Sequence, residues 1–255
     1  GDVADLPLTR KTMAGCAGCF HLAAVASVQR GNEDWLGTHR ANQTASIAVF
    51  EAARTAGDGR PVPVVYASSA AVYGDNPALQ LKETAETRPL SAYGADKLGT
   101  ELHARVASLV HGVPTVGLRF FNVYGPRQDP ASPYSGVIAI FAGLLAAGRP
   151  IAVHGDGRQS RDFIYVGDVV RYLLAAMALK PAKPQVFNVC TGRVTSILEL
   201  ARAIGQVSGK QPEIAHEAAR AGDIRASLGD PGRLNATFGF AAGTTLSEGL
   251  ARTLT

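Results

Sequence analysis

The sequence predicts an α/β fold, in which a doubly wound parallel sheet carries a second, smaller cap region. Short apolar runs alternate with longer helical stretches, which is the pattern of βαβ units. Residues 125–160 and the tail after Ser208 are instead rich in Gly, Pro, Ser and charge, as expected for a cap. The 255 residues, 46% of them hydrophobic and 18% charged, are enough to bury a full-sized core.

Three apolar runs are interpreted as strands, namely CFHLAA (19–24), PVVYAS (63–68) and PTVGLRF (114–120). Two later apolar runs, RDFIYV (161–166) and VFNVC (186–190), each lead into a helix. Helices are expected at 38–56, 91–110 and 137–147, after RDFIYV with Asp168 as cap, after VFNVC with Thr195 or Ser196 as cap, and behind a Thr245–Glu248 capping box. Ligands of such sheets bind at the carboxyl ends of the strands, so the turns after these runs are where chemistry is expected.

The composition argues against membranes and nucleic acids as partners. No apolar run approaches the ~20 residues that span a bilayer, and the opening GDVADLPLTR lacks the apolar core of a secretory signal. The 25 Lys and Arg residues are scattered among 21 acidic residues, without the clustering that nucleic-acid binding requires.

The low cysteine count predicts a reducing, cytoplasmic compartment. There are three cysteines, Cys16, Cys19 and Cys190, and an odd number argues against a disulfide framework. Cys16 and Cys19 form a C-x-x-C that could be a redox or metal pair. No second pair completes a zinc site, so we interpret Cys19 as a small buried strand residue and expect no metal.

One short motif poses the functional question. In SAYGADKLGTE (91–101), Tyr93 and Lys97 are four residues apart and must share a face if the segment is helical. A phenol beside an ammonium is either a surface pair or a proton-transfer device. Two further motifs flank it in order, YASSAAVYG (66–74) and LRFFNVYGPRQDP (118–130).

Together these motifs resemble the extended short-chain dehydrogenase/reductase superfamily and its NAD-dependent epimerase/dehydratase family. More narrowly, the chain is similar to UDP-sugar 4-epimerases of the UDP-glucose (UDP-galactose) type, from GDVAD at its start to TTLSEGLARTL at its end. The resemblance implies an NAD cofactor, a UDP-sugar substrate and a transient 4-keto intermediate. It also implies a homodimer that pairs the helices near 38–56 and 92–111.

The resemblance assigns roles to individual residues. It implies that Ser69, Tyr93 and Lys97 are catalytic. Residues implied to contact the cofactor are Asp2, Val3, Leu22, Ala23, Ala24, Asn42, Tyr93, Lys97 and Phe120. Residues implied to contact the substrate are Ser69, Asn122, Val137, Ala152, His154, Arg161, Arg220, Asp223 and Ser227. The Rossmann-like cofactor domain would comprise 1–121 and 162–192, and the substrate region 122–161 and 193–255. Asp162 and Asp168 are interpreted as structural.

Electrostatic arithmetic shows what Tyr93 needs to act as a base. Its pKa must fall from about 10 to about 7, which requires roughly 4 kcal/mol. One cation ~7 Å away at an effective dielectric constant of 20 supplies about 2.4 kcal/mol. Lys97 alone is therefore insufficient, whereas Lys97 and the positive ring of NAD⁺ together supply about 5 kcal/mol.

Two positions narrow the predicted reaction. Ala70 and Ala71 stand where related sugar dehydratases and decarboxylases place acidic residues, so elimination is disfavoured. Ser227 stands where a bulky aromatic residue restricts the sugar pocket, so N-acetylhexosamine substrates are also expected.

The sequence departs from the family pattern in its first βαβ portion, whose glycine-rich turn holds the dinucleotide pyrophosphate. GCAGC (15–19) follows no predicted strand and does not qualify. We expect the missing portion to lie outside these residues. Two alternatives stay open: a truncated, non-catalytic UDP-sugar-binding protein, and a dehydratase or oxidoreductase of the same superfamily.

Overall fold

The structure is a computed structural model that describes residues 1–78, 80–129, 132, 136–219 and 224–254, except for the side chains of residues 28 and 29. Its strands are β1 (Cys19–His21), β2 (Val64–Ser69), β3 (Thr115–Phe120), β4 (Asn122–Tyr124), β5 (Ile151–His154), β6 (Ser160–Arg161), β7 (Phe163–Tyr165), β8 (Gln185–Val189), β9 (Thr195–Ser196), β10 (Ile214–Glu217) and β11 (Ala226–Ser227). Its helices are α1 (Leu6–Met13), α2 (Val28–Glu33), α3 (Trp35–His39), α4 (Ala45–Ala53), α5 (Ala92–His111), α6 (Val137–Ala146), α7 (Val166–Leu179), α8 (Ile197–Ser208), α9 (Gly232–Phe238) and α10 (Leu246–Leu254).

The chain divides into two compact units. Unit 1 comprises Gly1–Pro77, Glu83–Phe120 and Arg171–Asn188, and unit 2 comprises Ala78–Lys82, Phe121–Val170 and Val189–Thr255.

Unit 1 is built on a four-stranded sheet in the order β1–β2–β3–β8. β1 pairs in parallel with β2, and β2 pairs in parallel with β3 along its whole length. Helix α4 lies in the connection from β1 to β2, and α5 lies in the connection from β2 to β3. The prediction of an α/β fold with a parallel sheet is confirmed.

The core of unit 1 forms around β2. This strand is apolar at consecutive positions because parallel strands are covered on both faces; Val64 and Tyr66 are fully buried. Phe50 of α4 packs edge-to-face on Tyr66, with ring centroids 5.7 Å apart. Ala53 and Ala104, both completely buried, belong to the same cluster and take little space in the packing of α4 and α5.

A buried ion pair joins β3 to α5 within this unit. Arg119 donates from Nε to Oε1 of Glu101 at 2.8 Å and from Nη2 to Oε2 at 2.7 Å. Ser68 of β2 donates to the same carboxylate at 2.5 Å. The Tyr73 hydroxyl accepts from Arg119 at 2.7 Å and donates to Asn188 of β8 at 2.6 Å. These polar contacts connect β2, β3 and α5, which carry the predicted catalytic motifs, with β8.

Unit 2 consists of short sheets and a helical core. The strands pair as β10–β5, as β4–β7 and as β11–β6–β9. Its core cluster includes Ile138 and Phe141 of α6, Leu200 and Ile204 of α8, and Leu250 of α10.

Several predicted boundaries shift. The run CFHLAA forms a strand only as far as His21, and Leu22–Ala24 continue as a loop. The helix expected from 38 begins at Trp35 as α3, passes through a π-helical stretch (Arg40–Thr44) and ends with α4. Among the described residues, no helix combines the length and the apolar character needed to cross a bilayer.

The helix caps test the sequence interpretation directly. Ser196 caps α8 and forms a capping box with Glu199, and Thr245 and Glu248 form the box predicted before α10. The prediction that Asp168 caps α7 is wrong, because the helix already begins at Val166. Asp168 lies in the first turn instead, and its carboxylate accepts from the Thr244 amide at 3.0 Å. It therefore has a structural role, as expected, but through a tertiary contact.

Candidate active site

Helix α5 begins where the motif SAYGADK predicts it. Ser91 is the N-cap, and its hydroxyl accepts from the Gly94 amide at 3.1 Å. A side chain at Gly94 would place its Cβ 2.7 Å from the Ala71 carbonyl oxygen. Glycine thus lets the first turn of α5 lie directly against the 3₁₀ turn Ala70–Tyr73, which follows Ser69.

Lys97 is buried and held in a fixed orientation. The residue is only 4% exposed, and Nζ donates to the Ala67 carbonyl oxygen at 2.8 Å. The ammonium nitrogen lies 5.7 Å from the centre of the Tyr93 ring. Tyr93 and Lys97 are therefore neighbours on one face of α5, as the spacing predicts. Burial lowers the pKa of Lys97 to about 8, and the charge of Asp96 opposes this shift.

Burial raises the pKa of Tyr93 above its ordinary value, while a hydrogen bond with Ser69 acts in the opposite direction. The cost of burial is the larger of these two effects. The phenol thus remains protonated near neutral pH unless a further positive charge comes close, which agrees with the arithmetic from the sequence.

Ser69 ends β2 beside Phe120, its partner in the register of β2 and β3. Its hydroxyl accepts from the Ala71 amide at 3.1 Å and so also caps the 3₁₀ turn. The same side chain interacts with the Tyr93 phenol. Unit 1 therefore brings together all three predicted catalytic side chains, of which Tyr93 and Lys97 are also predicted to contact the cofactor, and places Phe120, a further predicted cofactor residue, beside Ser69.

Four other predicted cofactor residues line one cavity of about 350 Å³ in unit 1, namely Asp2, Val3, Leu22 and Ala23. The Asp2 carboxylate accepts from the Ala4 amide and from Arg40, and these two hydrogen bonds lower its pKa. Ala24 lies in the loop that follows β1.

Asn42 fixes the loop that contains Ala24. Its side chain is buried, accepts from the Val25 amide at 2.7 Å and donates to the Val25 carbonyl oxygen at 3.2 Å. An amide side chain that satisfies both groups of one backbone residue holds that residue like a strand neighbour. Asn42 therefore supports the loop that follows β1, and its contact with the cofactor stays a prediction.

Sequence reasoning missed several buried polar groups near the catalytic side chains. His21 contacts Ser46 at 2.9 Å, and burial, with the charge of Lys97, lowers its pKa to about 4. Asp96 lies inside the Tyr93–Lys97 motif and is 5% exposed. The charged Asp96 was visible beside Lys97 in the sequence, but its burial was not.

In unit 2, five predicted substrate residues line a cavity of about 320 Å³, namely Asn122, Val137, Ala152, His154 and Arg161. The remaining lining residues include the apolar Phe141 and Ile197 and the amide side chain of Gln159. Apolar walls with a few amide and guanidinium groups suit a ring-shaped ligand that carries polar edges or negative charge.

The arginine and histidine of this cavity are held by backbone groups. Arg161 donates from Nη1 to the carbonyl oxygens of Ser160 and Ile224 at 2.9 and 2.7 Å. Nδ1 of His154 lies 3.3 Å from the Ala218 carbonyl oxygen and 3.4 Å from a Glu217 carboxylate oxygen.

The other predicted substrate residues have different outcomes. Ser227 pairs with Arg161 in the register of β11 and β6, although it does not belong to the cavity lining. Arg220 and Asp223 lie outside the described residues. Asp162 accepts from the amide and hydroxyl of Thr191 and from the Gly192 amide, which is the structural role expected for it.

Known proteins are similar to this chain over most or all of its length. Residues 1–190 match the model of the NAD dependent epimerase/dehydratase family. A UDP-glucose 4-epimerase of Mycolicibacterium smegmatis is 38% identical over 92% of this chain and 74% of its own length. The solved structure of a UDP-N-acetylglucosamine 4-epimerase from Methanobrevibacter ruminantium M1, in complex with UDP-N-acetylmuramic acid, has a TM-score of 0.93 and 34% identity, covering 100% of this chain and 80% of that one. The UDP-glucose 4-epimerase of Thermus thermophilus, solved in complex with NAD, has a TM-score of 0.87 and 32% identity, covering 100% and 82%.

Replacing Lys97 by Met should change how stability depends on pH. Because the pKa of Lys97 is about 8 in the folded protein, against an ordinary value of 10.5, the unfolded chain binds more protons between these values. The cost of burying the charge is then fully present below pH 8 and is relieved as the pH rises. Between pH 7 and pH 10, we expect the free energy of unfolding of the wild type to rise by about 2 kcal/mol more than that of Lys97→Met.

Urea denaturation at several pH values measures this difference. Lys11→Met, at an exposed position of α1, is the control. An equal gain of the wild type over both variants would show that the effect does not come from Lys97.

Proposed function

The chain belongs to the NAD dependent epimerase/dehydratase family, and on this premise we propose that it interconverts UDP-glucose and UDP-galactose by inversion at C4 of the sugar. The observation that carries the proposal is the pair formed by the half-buried Tyr93 and the buried Lys97 beside Ser69. Such a group is suited to remove a proton from a sugar hydroxyl and to return it.

The residues of unit 1 suit part of a binding surface for the redox cofactor of the family. The loop Leu22–Ala24 offers apolar surface at the carboxyl end of β1, where parallel sheets bind ligands, and Asn42 holds this loop. Asp2 and Val3 would contact the cofactor at the cavity that they line with Leu22. When bound there, NAD⁺ would accept hydrogen as a hydride from C4 and return it to the opposite face of the sugar.

Within this proposal, Tyr93 accepts the proton of the C4 hydroxyl as the 4-keto intermediate forms. The positive charge of Lys97 would favour the phenolate, and the hydrogen bond of Lys97 to Ala67 keeps that charge close to the ring. Ser69 contacts the same phenol and would orient the hydroxyl. Tyr93 then returns the proton to the oxygen at C4. Ala70 and Ala71 carry no group that transfers protons, so the keto sugar is reduced rather than dehydrated.

We assign UDP binding to the cavity of unit 2. Val137, Phe141 and Ile197 supply apolar walls for a uracil ring, while Asn122 and Arg161 supply donors for phosphate oxygens. Arg220 and Asp223 are assigned to the diphosphate and the ribose from the resemblance alone.

Replacing Tyr93 by Phe tests the reaction. Removal of the phenolic oxygen should lower kcat for UDP-galactose epimerisation by at least about 100-fold, because a positioned base contributes 10²–10⁴-fold. UDP affinity, measured by isothermal titration calorimetry, should change little because unit 2 carries the proposed nucleotide site. A variant that keeps wild-type kcat would refute the assignment, and simultaneous loss of UDP binding would indicate misfolding.

We also propose that UDP-N-acetylhexosamines are substrates. The small Ser227 lies beside Arg161 in the strand register, and the resemblance assigns this position to the sugar pocket, where a bulky residue would restrict the substrate. The similarity to a UDP-N-acetylglucosamine 4-epimerase supports this extension.

Replacing Ser227 by Tyr should reduce kcat/KM for the N-acetylated substrate at least tenfold relative to the plain sugar, since about 1.4 kcal/mol of steric cost suffices. Parallel assays with UDP-N-acetylglucosamine and UDP-glucose give the ratio. Ser227→Ala, which keeps the space, should leave the ratio unaltered. An unchanged ratio in Ser227→Tyr would contradict the proposal.

We further propose that two copies of the chain pair through helices α4 and α5. Leu102, Val106 and Leu109 lie one helical turn apart along α5 and are 59%, 48% and 53% exposed, so they form an apolar stripe. Ile47 of α4 adds to the exposed apolar surface of this helix pair. Burial of such a stripe against a second copy would remove it from water.

Replacing Leu109 by Glu should convert a dimer into a monomer, because a carboxylate buried in an apolar contact loses its hydration. Sedimentation velocity at micromolar concentration measures the change. Leu174→Glu on α7, where the leucine is 60% exposed, is the matched control and should leave the dimer intact. A wild type that sediments as a monomer would refute the dimer.

A further inference from the structure

Asp96 is a buried carboxylate that the reaction described above does not use. It lies on α5 between Tyr93 and Lys97 and is 5% exposed. One carboxylate oxygen forms a 2.8 Å hydrogen bond with Nδ1 of His39. The other, Oδ2, is buried and has no hydrogen-bond partner among the residues that the structure describes. A carboxylate in this situation is costly unless a nearby positive charge compensates for its lost hydration.

Lys97, the next residue of α5, carries a positive charge that is also buried. Its ammonium group is buried, and its hydrogen bond goes to the uncharged carbonyl of Ala67. Asp96 is the adjacent residue, and its negative charge favours the protonated form of Lys97. Two buried ions of opposite charge thus occupy consecutive positions of one helix.

The other titratable groups around Lys97 do not provide this compensation. His21 on β1 is kept neutral by its burial, and the Tyr93 phenol is protonated near neutral pH. Glu101, one turn further along α5, is committed to both nitrogen donors of Arg119 and to Ser68. His39 on α3 reaches the site through its contact with Asp96.

We propose that Asp96 is a positioning residue whose charge keeps Lys97 protonated over the pH range in which Tyr93 accepts its proton. The inference rests on the proposed function for its catalytic consequence, but the electrostatic coupling of Asp96 to Lys97 is independent of turnover. His39 holds one oxygen of the carboxylate by its hydrogen bond, which fixes the rotamer of Asp96 on the helix.

Asp96→Asn separates charge from structure. Asparagine has the same shape, and its side-chain oxygen can still accept from His39, so a purely structural role would survive the change. The matched control is Asp34→Asn: Asp34 is exposed, and its Oδ1 caps α3 by accepting from the Gly37 amide. An Asn side chain at that position can make the same cap.

The first readout is the protonation of Lys97 itself, followed in the purified protein by NMR of ¹³Cε-labelled lysine. The Lys97 resonance is assigned by its disappearance in Lys97→Arg. We expect the titration midpoint to fall by about one pH unit in Asp96→Asn, as for loss of a neighbouring opposite charge, and to stay in place in Asp34→Asn. An unmoved Lys97 midpoint in Asp96→Asn would overturn the inference, whatever the enzyme does.

The second readout is the pH profile of kcat for UDP-galactose epimerisation by the holoenzyme. Its alkaline limb should move to lower pH by the same amount, with KM at neutral pH little changed. A uniform fall in kcat at all pH values, without a shift of the limb, would instead show a structural role and overturn the inference. If wild-type turnover is absent, the proposed function fails, while the NMR titration still decides the coupling.

Asp96→Ser keeps the experiment decisive if Asp96→Asn does not fold. Serine removes the same charge and leaves a hydroxyl that can contact His39. The same downward shift of the Lys97 midpoint is expected, and its absence would count against the inference.

Discussion

The geometry of unit 1 depends on the buried ion pair between Arg119 and Glu101. Two parallel hydrogen bonds fix the guanidinium against the carboxylate, and Ser68 and Tyr73 satisfy further positions of the pair. Charges buried in this way stabilise a fold only weakly relative to apolar packing, but breaking such a pair is costly because one charge is left without a partner. The main effect of the pair is therefore to favour one orientation of α5 on β2 and β3, the orientation in which both charges have their partners.

That orientation decides where the reactive groups lie. Glu101 is one turn beyond Lys97 on α5, and Ser68 immediately precedes Ser69 on β2. Contacts of the ion pair with both elements hold the amino-terminal half of α5 against the end of β2. The close approach of Gly94 to the Ala71 carbonyl oxygen completes this arrangement. Lys97 can then reach Ala67 and remain near the Tyr93 ring.

Burial sets the pKa values of the two motif residues in a way that is unfavourable for the isolated protein. The pKa of Lys97 falls and the pKa of Tyr93 rises, so each group is pushed toward its neutral form. For Lys97 this is a cost in folding free energy while the group is charged. For Tyr93 it leaves the phenol protonated and inactive until a second positive charge arrives. A base that depends on an oxidised cofactor would be idle when that cofactor is absent or reduced. The requirement follows from desolvation and does not depend on the identity of the sugar.

The sequence by itself determined the α/β class with its parallel sheet, the helix that starts at Ser91, the cap of α8 to within one residue and the capping box at Thr245, because periodicity and capping are local properties of the chain. It also placed Tyr93 and Lys97 on one helical face, since that follows from the 3.6-residue period. The cap predicted for α7 was wrong, because the chain passes directly from β7 into the helix at Val166. Asp168 instead accepts a hydrogen bond from Thr244, which is distant in sequence. Only the tertiary structure revealed that Asp96, Glu101 and Arg119 are buried, since charged residues are exposed by default and their burial depends on partners distant in sequence. The local sequence motif therefore predicted the type of chemistry, whereas tertiary packing decided the electrostatic environment that controls it.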